Sequence, residues 1–172
     1  MTTTQTTQPT QHACTIDTPV GLLELRSNGK ALTSIYFTDK ASATATRGDL
    51  DSDPVLRETA DQLNAYFAGE RTDFDLPLAP HGTDFQERVW SALTEIPYAE
   101  TWSYAELARH IGLPTAFRAV GAANGQNPLP IVIPCHRVVG ANGKLVGYGG
   151  GMERKRHLLE LEANVRVRRD FG

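Results

Sequence analysis

The chain has 172 residues, 40% of them hydrophobic and 22% charged, with a formal net charge of −3. That length suits one compact domain or two small ones, with a core that needs no disulfide staples. The two cysteines, Cys14 and Cys135, exclude a disulfide framework and a four-cysteine zinc site, and the absence of any long apolar run excludes a membrane-spanning helix.

Residues 1–11 are rich in Thr and Gln, lack apolar periodicity, and predict a disordered tail. The same stretch has neither the basic start nor the apolar core of a secretory signal, so a cytoplasmic chain is expected. β-Prone runs follow at Ala13–Asp17, Leu22–Arg26 and Ala31–Phe37. Pro19–Gly21 and the turn pair Asn28-Gly29 separate them, which predicts an antiparallel meander. Lys40–Leu50 reads as a loop. Asp53 offers an N-cap with Pro54 at the first helical position, and Val55, Leu56, Leu63, Tyr66 and Phe67 supply an apolar stripe that Gly69 ends. Asp73–Leu78 is a candidate fourth strand. Pro77 and Pro80 mark a linker, dividing an N-terminal α/β domain over 12–79 from a second domain over 80–172.

The second domain is written mainly in helices. Thr83 to Gln86 is a capping box for a helix through Phe85, Val89, Trp90 and Leu93, closed out by Pro97. Ser103 to Glu106 is a second capping box, for a short helix through Leu107 and Ile111. Gly112-Leu113-Pro114 then makes a tight turn, and Thr115 is placed to cap a third helix over roughly Ala116 to Gly125. Two short helices joined by such a turn form the helix-turn-helix pattern, which many unrelated helix pairs also show. The third helix carries small residues, with Arg118 its one long cation. It offers a smooth surface with few base-reading side chains. Arg118 is either a finger toward nucleic acid or a surface arginine paired with a carboxylate.

Between Thr101 and Leu159 seven basic residues face two acidic ones, a surplus of five that leaves minus eight for the rest of the chain. An anion-binding face and ordinary solvated helices both fit that asymmetry.

The segment from Pro128 to Val139, PLPIVIPCHRVV, carries the chemistry. Its Ile/Val run leads the chain into the core, and Pro134 fixes φ just before the thiol of Cys135. A thiol is nucleophilic as its thiolate, a form that a neighbouring base such as His136 favours. An inert packed cysteine is the competing reading.

At these residues the sequence resembles the O6-alkylguanine-DNA alkyltransferases, also called methylated-DNA–protein-cysteine methyltransferases. Ile133 to Val138 matches that family's active-site signature. The likeness extends over Arg118 to Gly121, Asn127-Pro128, Gly147 to Gly151 and Leu158 to Glu162, so it is strong from about Thr83 to Glu162. It implies an α+β fold, in which a small antiparallel sheet with a helix precedes a mostly helical, winged helix-turn-helix-like domain.

It further implies DNA repair by direct, single-use transfer of an alkyl group from O6 of guanine to Cys135, with O4 of thymine as a second candidate. In the family the damaged nucleotide is flipped out, because a buried thiol cannot reach a base inside the duplex. By the same resemblance His136 is the base, acting through a water, and Glu162 orients it. Tyr104 donates toward guanine N3, Asn127 ties the helix pair to the active-site segment, and Arg118 fills the gap in the stack. DNA contacts are expected from Ser103, Thr115, Arg118, Ala119, Gly121 and Ala122, with the recognition helix in the minor groove. The substrate pocket is expected from Pro130, Val138, Gly147, Tyr148 and Gly149. The implied partner is duplex DNA containing O6-alkylguanine. No metal, cofactor, membrane or obligatory protein partner is expected, and a monomer is the simplest state.

Two positions depart from the pattern. Phe117 stands where relatives carry a small residue, and either packs into the core or changes how Arg118 meets DNA. Gly149 stands where some relatives have serine, leaving only backbone donors in that loop. Three competing readings exist. A noncatalytic lesion-binding relative lacks the cysteine that this chain has. A cysteine hydrolase takes its histidine from a distant segment. A DNA-binding regulator needs polar base readers where this chain has alanine and glycine. A zinc site would need more ligands than His12 and Cys14, and His81, His110 and His157 are scattered.

Overall fold

The computed structural model describes residues 11–38 and 47–172. Three strands, β1 (His12–Thr18), β2 (Gly21–Ser27) and β3 (Leu32–Thr38), form an antiparallel sheet in the order β1-β2-β3. The Asn28-Gly29 turn closes as its residues require. Asn28 Oδ1 accepts from the amides of Lys30 and Ala31, each at 2.9 Å, while Gly29 takes the left-handed φ of +87°. Leu23, Leu25, Leu32 and Ile35 enter the core.

Helix α2 (Pro54–Phe67) packs across this sheet and starts at the expected cap, Asp53, whose side chain accepts from the Val55 and Leu56 amides. The Asp53 carboxylate also meets His12 Nδ1 at 2.9 Å, pinning the first strand to the start of the helix. Most of the expected loop 40–50 lies outside the described residues. Its end, however, belongs to a helix, α1 (Arg47–Ser52).

The fourth strand expected at Asp73–Leu78 shrinks to a single parallel bridge between Leu32 and Leu78. Gln62 explains why. Its side-chain amide donates to Asp75 O and accepts from Asp75 N, both at 2.9 Å, taking up the backbone groups a ladder would use. Pro77, in the same stretch, has no amide to offer.

In the second half, α3 (Asp84–Leu93) opens on the complete Thr83/Gln86 capping box. Helix α4 (Tyr104–His110) follows the two-residue strand β4 (Trp102–Ser103), which pairs in parallel with β5 (Val138–Val139). Ser103 accepts from the Glu106 amide at 3.1 Å, so the forward half of the second capping box is present. Gly112 turns the chain with φ +78° into α5 (Phe117–Gly125). Thr115 does not cap α5. The N-cap is Ala116, without a side-chain bond, because the preceding turn runs on through Ala116 N–H to Leu113 O at 2.9 Å and leaves Thr115 outside. The chain ends in α6 (Met152–Phe171), a 20-residue helix. No helix among the described residues is long and apolar enough to cross a membrane.

The core is continuous across both halves. One backbone bond also joins them, from Ile35 N–H of β3 to Pro128 O at 2.8 Å.

Candidate active site

Every residue from Leu129 to Val139 is buried. The chain reverses tightly at Ile131, a β-branched residue held at φ +74°, where Ile133 N–H bonds Leu129 O at 2.8 Å. Such a backbone costs on the order of 1–3 kcal/mol and persists only where its surroundings hold it. Asn127 is one of those holds: its Nδ2 donates to Ile133 O at 2.8 Å and its Oδ1 accepts from Leu129 N at 2.9 Å. The segment then passes Pro134 into a 3-10 turn, Cys135–Arg137.

Within that turn the side chains of Cys135 and His136 diverge. Cys135 is 5% exposed and lines a cavity of about 220 Å³, together with Asn127, Pro130, Tyr148 and Gly149. His136 points inward, fully buried, and its Nε2 meets Glu162 Oε2 at 2.6 Å. Its other nitrogen, Nδ1, is buried without a hydrogen-bond partner among the described residues.

Glu162, also fully buried, collects further donors. Arg137 donates from Nε to Oε1 at 2.8 Å and from Nη2 to Oε2 at 3.1 Å. Tyr66 Oη donates to Oε2 at 2.6 Å, and the Ala99 amide to Oε1 at 3.1 Å. Burial resists ionisation of this carboxyl, but the bonds and charges of His136 and Arg137 outweigh it and bring its pKa down to about 2.

Burial dominates in the other direction at the neighbouring groups. It pushes the Cys135 thiol up to about 11, against the partial relief offered by Asn127 and the Lys155 charge. It lowers His136 from the ordinary histidine range, despite the pull of Glu162. At neutral pH the site therefore holds a thiol, a neutral imidazole and a carboxylate.

Lys155 of α6 is fully buried and uses its ammonium to fasten backbone. Its Nζ donates to Val138 O at 2.6 Å, Val146 O at 3.1 Å and Gly147 O at 3.3 Å, tying the glycine loop to the segment that follows Cys135. Tyr104, at the start of α4, donates from Oη to Val146 O of the same loop at 3.2 Å. Asn124 of α5 reaches Cys135 O at 3.5 Å.

Two residues expected in the pocket lie elsewhere. Val138 is buried in the core as part of β5, and Gly147 is exposed, so neither lines the cavity beside Cys135. Both contribute backbone carbonyls that hold Lys155. The far wall of the cavity comes instead from β3, through Ile35, Tyr36 and Phe37.

On α5, Arg118, Ala119 and Ala122 are exposed, as is Thr115 before it. Gly121 faces Tyr104, where an added Cβ would sit 3.5 Å from the ring, an ordinary van der Waals contact, so α4 and α5 lie together here without depending on glycine. Ser103 is half-buried. Arg118 has no carboxylate within ion-pair distance among the described residues, which leaves the surface-pair reading without its partner. Phe117 is 49% exposed and does not enter the core. The basic face is thinner than the sequence suggests, because Arg137 and Lys155 are buried and Arg154 bonds Val20 O and Gly150 O.

Sequence reasoning missed several contributors, among them Tyr66, Arg137 and Lys155 as buried partners of the site and Phe37 as a wall. Tyr66 and Phe37 lie in apolar stripes that read as core. Arg137 and Lys155 read as surface charge.

Residues 84–164 match the family model described as 6-O-methylguanine DNA methyltransferase, DNA binding domain. Residues 12–80 match the one described as its ribonuclease-like domain. A methylated-DNA–protein-cysteine methyltransferase of Mycobacterium tuberculosis is 55% identical over 152 residues, covering 88% of this chain and 92% of that protein. The crystal structure of the M. tuberculosis O6-methylguanine methyltransferase superposes with a TM-score of 0.78 at 52% identity, covering 90% of this chain and 94% of that one. That of the M. tuberculosis OGT in complex with DNA superposes with a TM-score of 0.81 at 54% identity and the same coverage. A signature cysteine and its histidine–glutamate pair thus sit in a fold shared along most of its length with these proteins, and the chain belongs to the methylated-DNA–protein-cysteine methyltransferase family.

Proposed function

We propose that Cys135 is the acceptor through which this methyltransferase repairs DNA, taking the alkyl group from O6 of guanine. The observation that carries this is the divergence of Cys135 and His136 within one turn. The thiol faces a cavity large enough for a small alkyl group, while the imidazole is locked behind it against Glu162.

A resting thiol with its pKa at about 11 needs a base, and neutral His136, next in the chain and with no hydrogen-bond partner on Nδ1 among the described residues, is the candidate. The proton leaves Sγ through one water to Nδ1, Glu162 stabilises the imidazolium, and the thiolate attacks the alkyl carbon. The S–C bond forms as the C–O6 bond breaks. Tyr104 donates toward N3 of the departing guanine, and the proton taken from the thiol is returned to the base. The displacement balances without a cofactor. A thioether is a poor leaving group, so each molecule reacts once.

The reading requires the nucleotide to rotate out of the stack, at a cost of a few kcal/mol. Arg118, exposed on α5, would enter the gap, and its exposed neighbour Phe117 would meet the same DNA. Duplex DNA carrying O6-alkylguanine is the only partner this needs, and the cytoplasm is where it would be met.

Incubation with a duplex containing O6-methylguanine, followed by intact and peptide mass measurement, tests the assignment. The expected result is one added methyl, on Cys135, with no second turnover. An unchanged mass with tight DNA binding would overturn it in favour of a noncatalytic lesion binder.

A further inference from the structure

Tyr66 belongs to α2 of the N-terminal domain, yet its hydroxyl ends on the carboxylate that orients the active-site histidine. The ring is fully buried and fixed by aromatic neighbours, with centroids 5.2 Å from Phe67, 5.5 Å from Phe74 and 6.3 Å from Tyr98. Its Oη lies 2.6 Å from Glu162 Oε2, the same oxygen that meets His136 Nε2 at 2.6 Å.

We propose that Tyr66 is a positioning residue of the alkyl-transfer reaction, a donor from the N-terminal domain that shares Glu162 Oε2 with His136 and thereby sets how readily His136 takes the thiol proton. The proposal rests on the reading of His136 as the base.

The hydroxyl is not needed to satisfy Glu162. Arg137 makes two bonds to that carboxylate, and the Ala99 amide and His136 add one each. A carboxylate has about four lone-pair sites, so Tyr66 is a fifth donor on a filled group. What it changes is the strength of the bond next to it. Each donor on Oε2 draws charge from that oxygen and weakens its hold on the Nε2 proton. Without Tyr66 the oxygen would hold His136 more tightly and raise its proton affinity.

The other ionisable groups facing this cluster are the remaining constants. Tyr98 comes from the turn after α3, Cys135 and Arg137 from the 3-10 turn, and Lys155 from α6, with Arg168 and Arg169 of α6 near Tyr98. None of them bonds Oε2 except Arg137, whose charge is permanent.

The test is the pH dependence of single-turnover methyl transfer, in Tyr66→Phe and in protein carrying 3,5-difluorotyrosine at position 66. The acidic limb, where His136 becomes protonated and transfer stops, should move up by about half a pH unit or more in Tyr66→Phe. The fluorinated phenol keeps the ring packing and is a stronger donor, so it should move the limb down. Tyr98→Phe removes a nearby hydroxyl that has no hydrogen-bond partner among the described residues and should leave the limb in place. A limb that stays fixed in both position-66 proteins, with or without uniform slowing, would overturn the proposal. Should Tyr66→Phe fail to fold, the fluorinated protein alone decides. Absence of transfer in the wild-type protein would instead reject the underlying assignment of Cys135.

Discussion

Phe37, at the end of the N-terminal sheet, meets Tyr148 of the glycine loop edge-on, with ring centroids 5.9 Å apart. The Arg154 guanidinium lies over the Phe37 ring, 4.9 Å from its centroid. A Cβ on Gly150 would fall 2.6 Å from the Phe37 ring, so glycine there is what allows the loop to close on this side chain. The width of the cavity beside Cys135 is therefore set across the two halves of the molecule. Phe37→Ala should widen it and raise the rate with O6-benzylguanine relative to O6-methylguanine by roughly tenfold, a change of about 1.4 kcal/mol in relative barrier. Competition between the two substrates measures the ratio. An unaltered ratio would mean that the wall does not limit the alkyl group.

The buried His136–Glu162–Arg137 cluster predicts how the protein responds to acid. His136 has its pKa lowered by burial, so below about 6.5 the unfolded chain binds a proton that the native state resists. Its contribution is intact above that pH and lost progressively below it. Glu162, held at about 2 by His136 and Arg137 against its burial, contributes stability that is complete above the ordinary carboxyl range near 4.5 and fades as pH falls toward 2. The second effect is of order 3 kcal/mol when fully expressed. Urea midpoints should fall between pH 7 and pH 5 and more steeply below pH 4.5. Glu162→Gln should be less stable at pH 7 and should lose less on going from pH 4.5 to pH 3.

The parts of this site that were legible in the sequence are those whose physics is local. Pro134-Cys135-His136-Arg137 places thiol and imidazole on one turn, and the Thr83 box and the Asp53 cap are decided within a few residues. What was hidden depends on contacts that only folding makes. Tyr66 and Glu162 are 96 positions apart, and nothing near Tyr66 distinguishes its hydroxyl from an incidental one in an apolar stripe. Helix α6 hides its inner face because that face is written as Lys155, Leu158, Glu162 and Val165. Two of those four are charged, so no apolar period emerges, and burial is tolerable only because each finds partners elsewhere in the chain. The missing strand at Asp73–Leu78 fails for a similar reason, since a single distant side chain, Gln62, takes its backbone bonds.

Tyr104 joins the helix pair to the chemistry. Parallel pairing of Trp102-Ser103 with Val138-Val139 places the first residue of α4 beside the segment that follows Cys135, and the Tyr104 hydroxyl rests on Val146 O at 3.2 Å. That bond is long for a hydroxyl donor and holds it loosely, so an incoming acceptor can replace the carbonyl at little cost. Guanine leaving without its alkyl group would be an anion, and a donor at N3 counts most when that charge develops, which is in the transition state. Tyr104→Phe should therefore slow methyl transfer at saturating DNA by about 10- to 100-fold, a loss of roughly 1.4–2.7 kcal/mol, while changing affinity for the lesion-bearing duplex by less than about threefold. Stopped-flow single-turnover rates and fluorescence anisotropy separate the two quantities. Weaker binding with an unchanged transfer rate would make Tyr104 a DNA contact and leave the charge on the departing base to be met by another group.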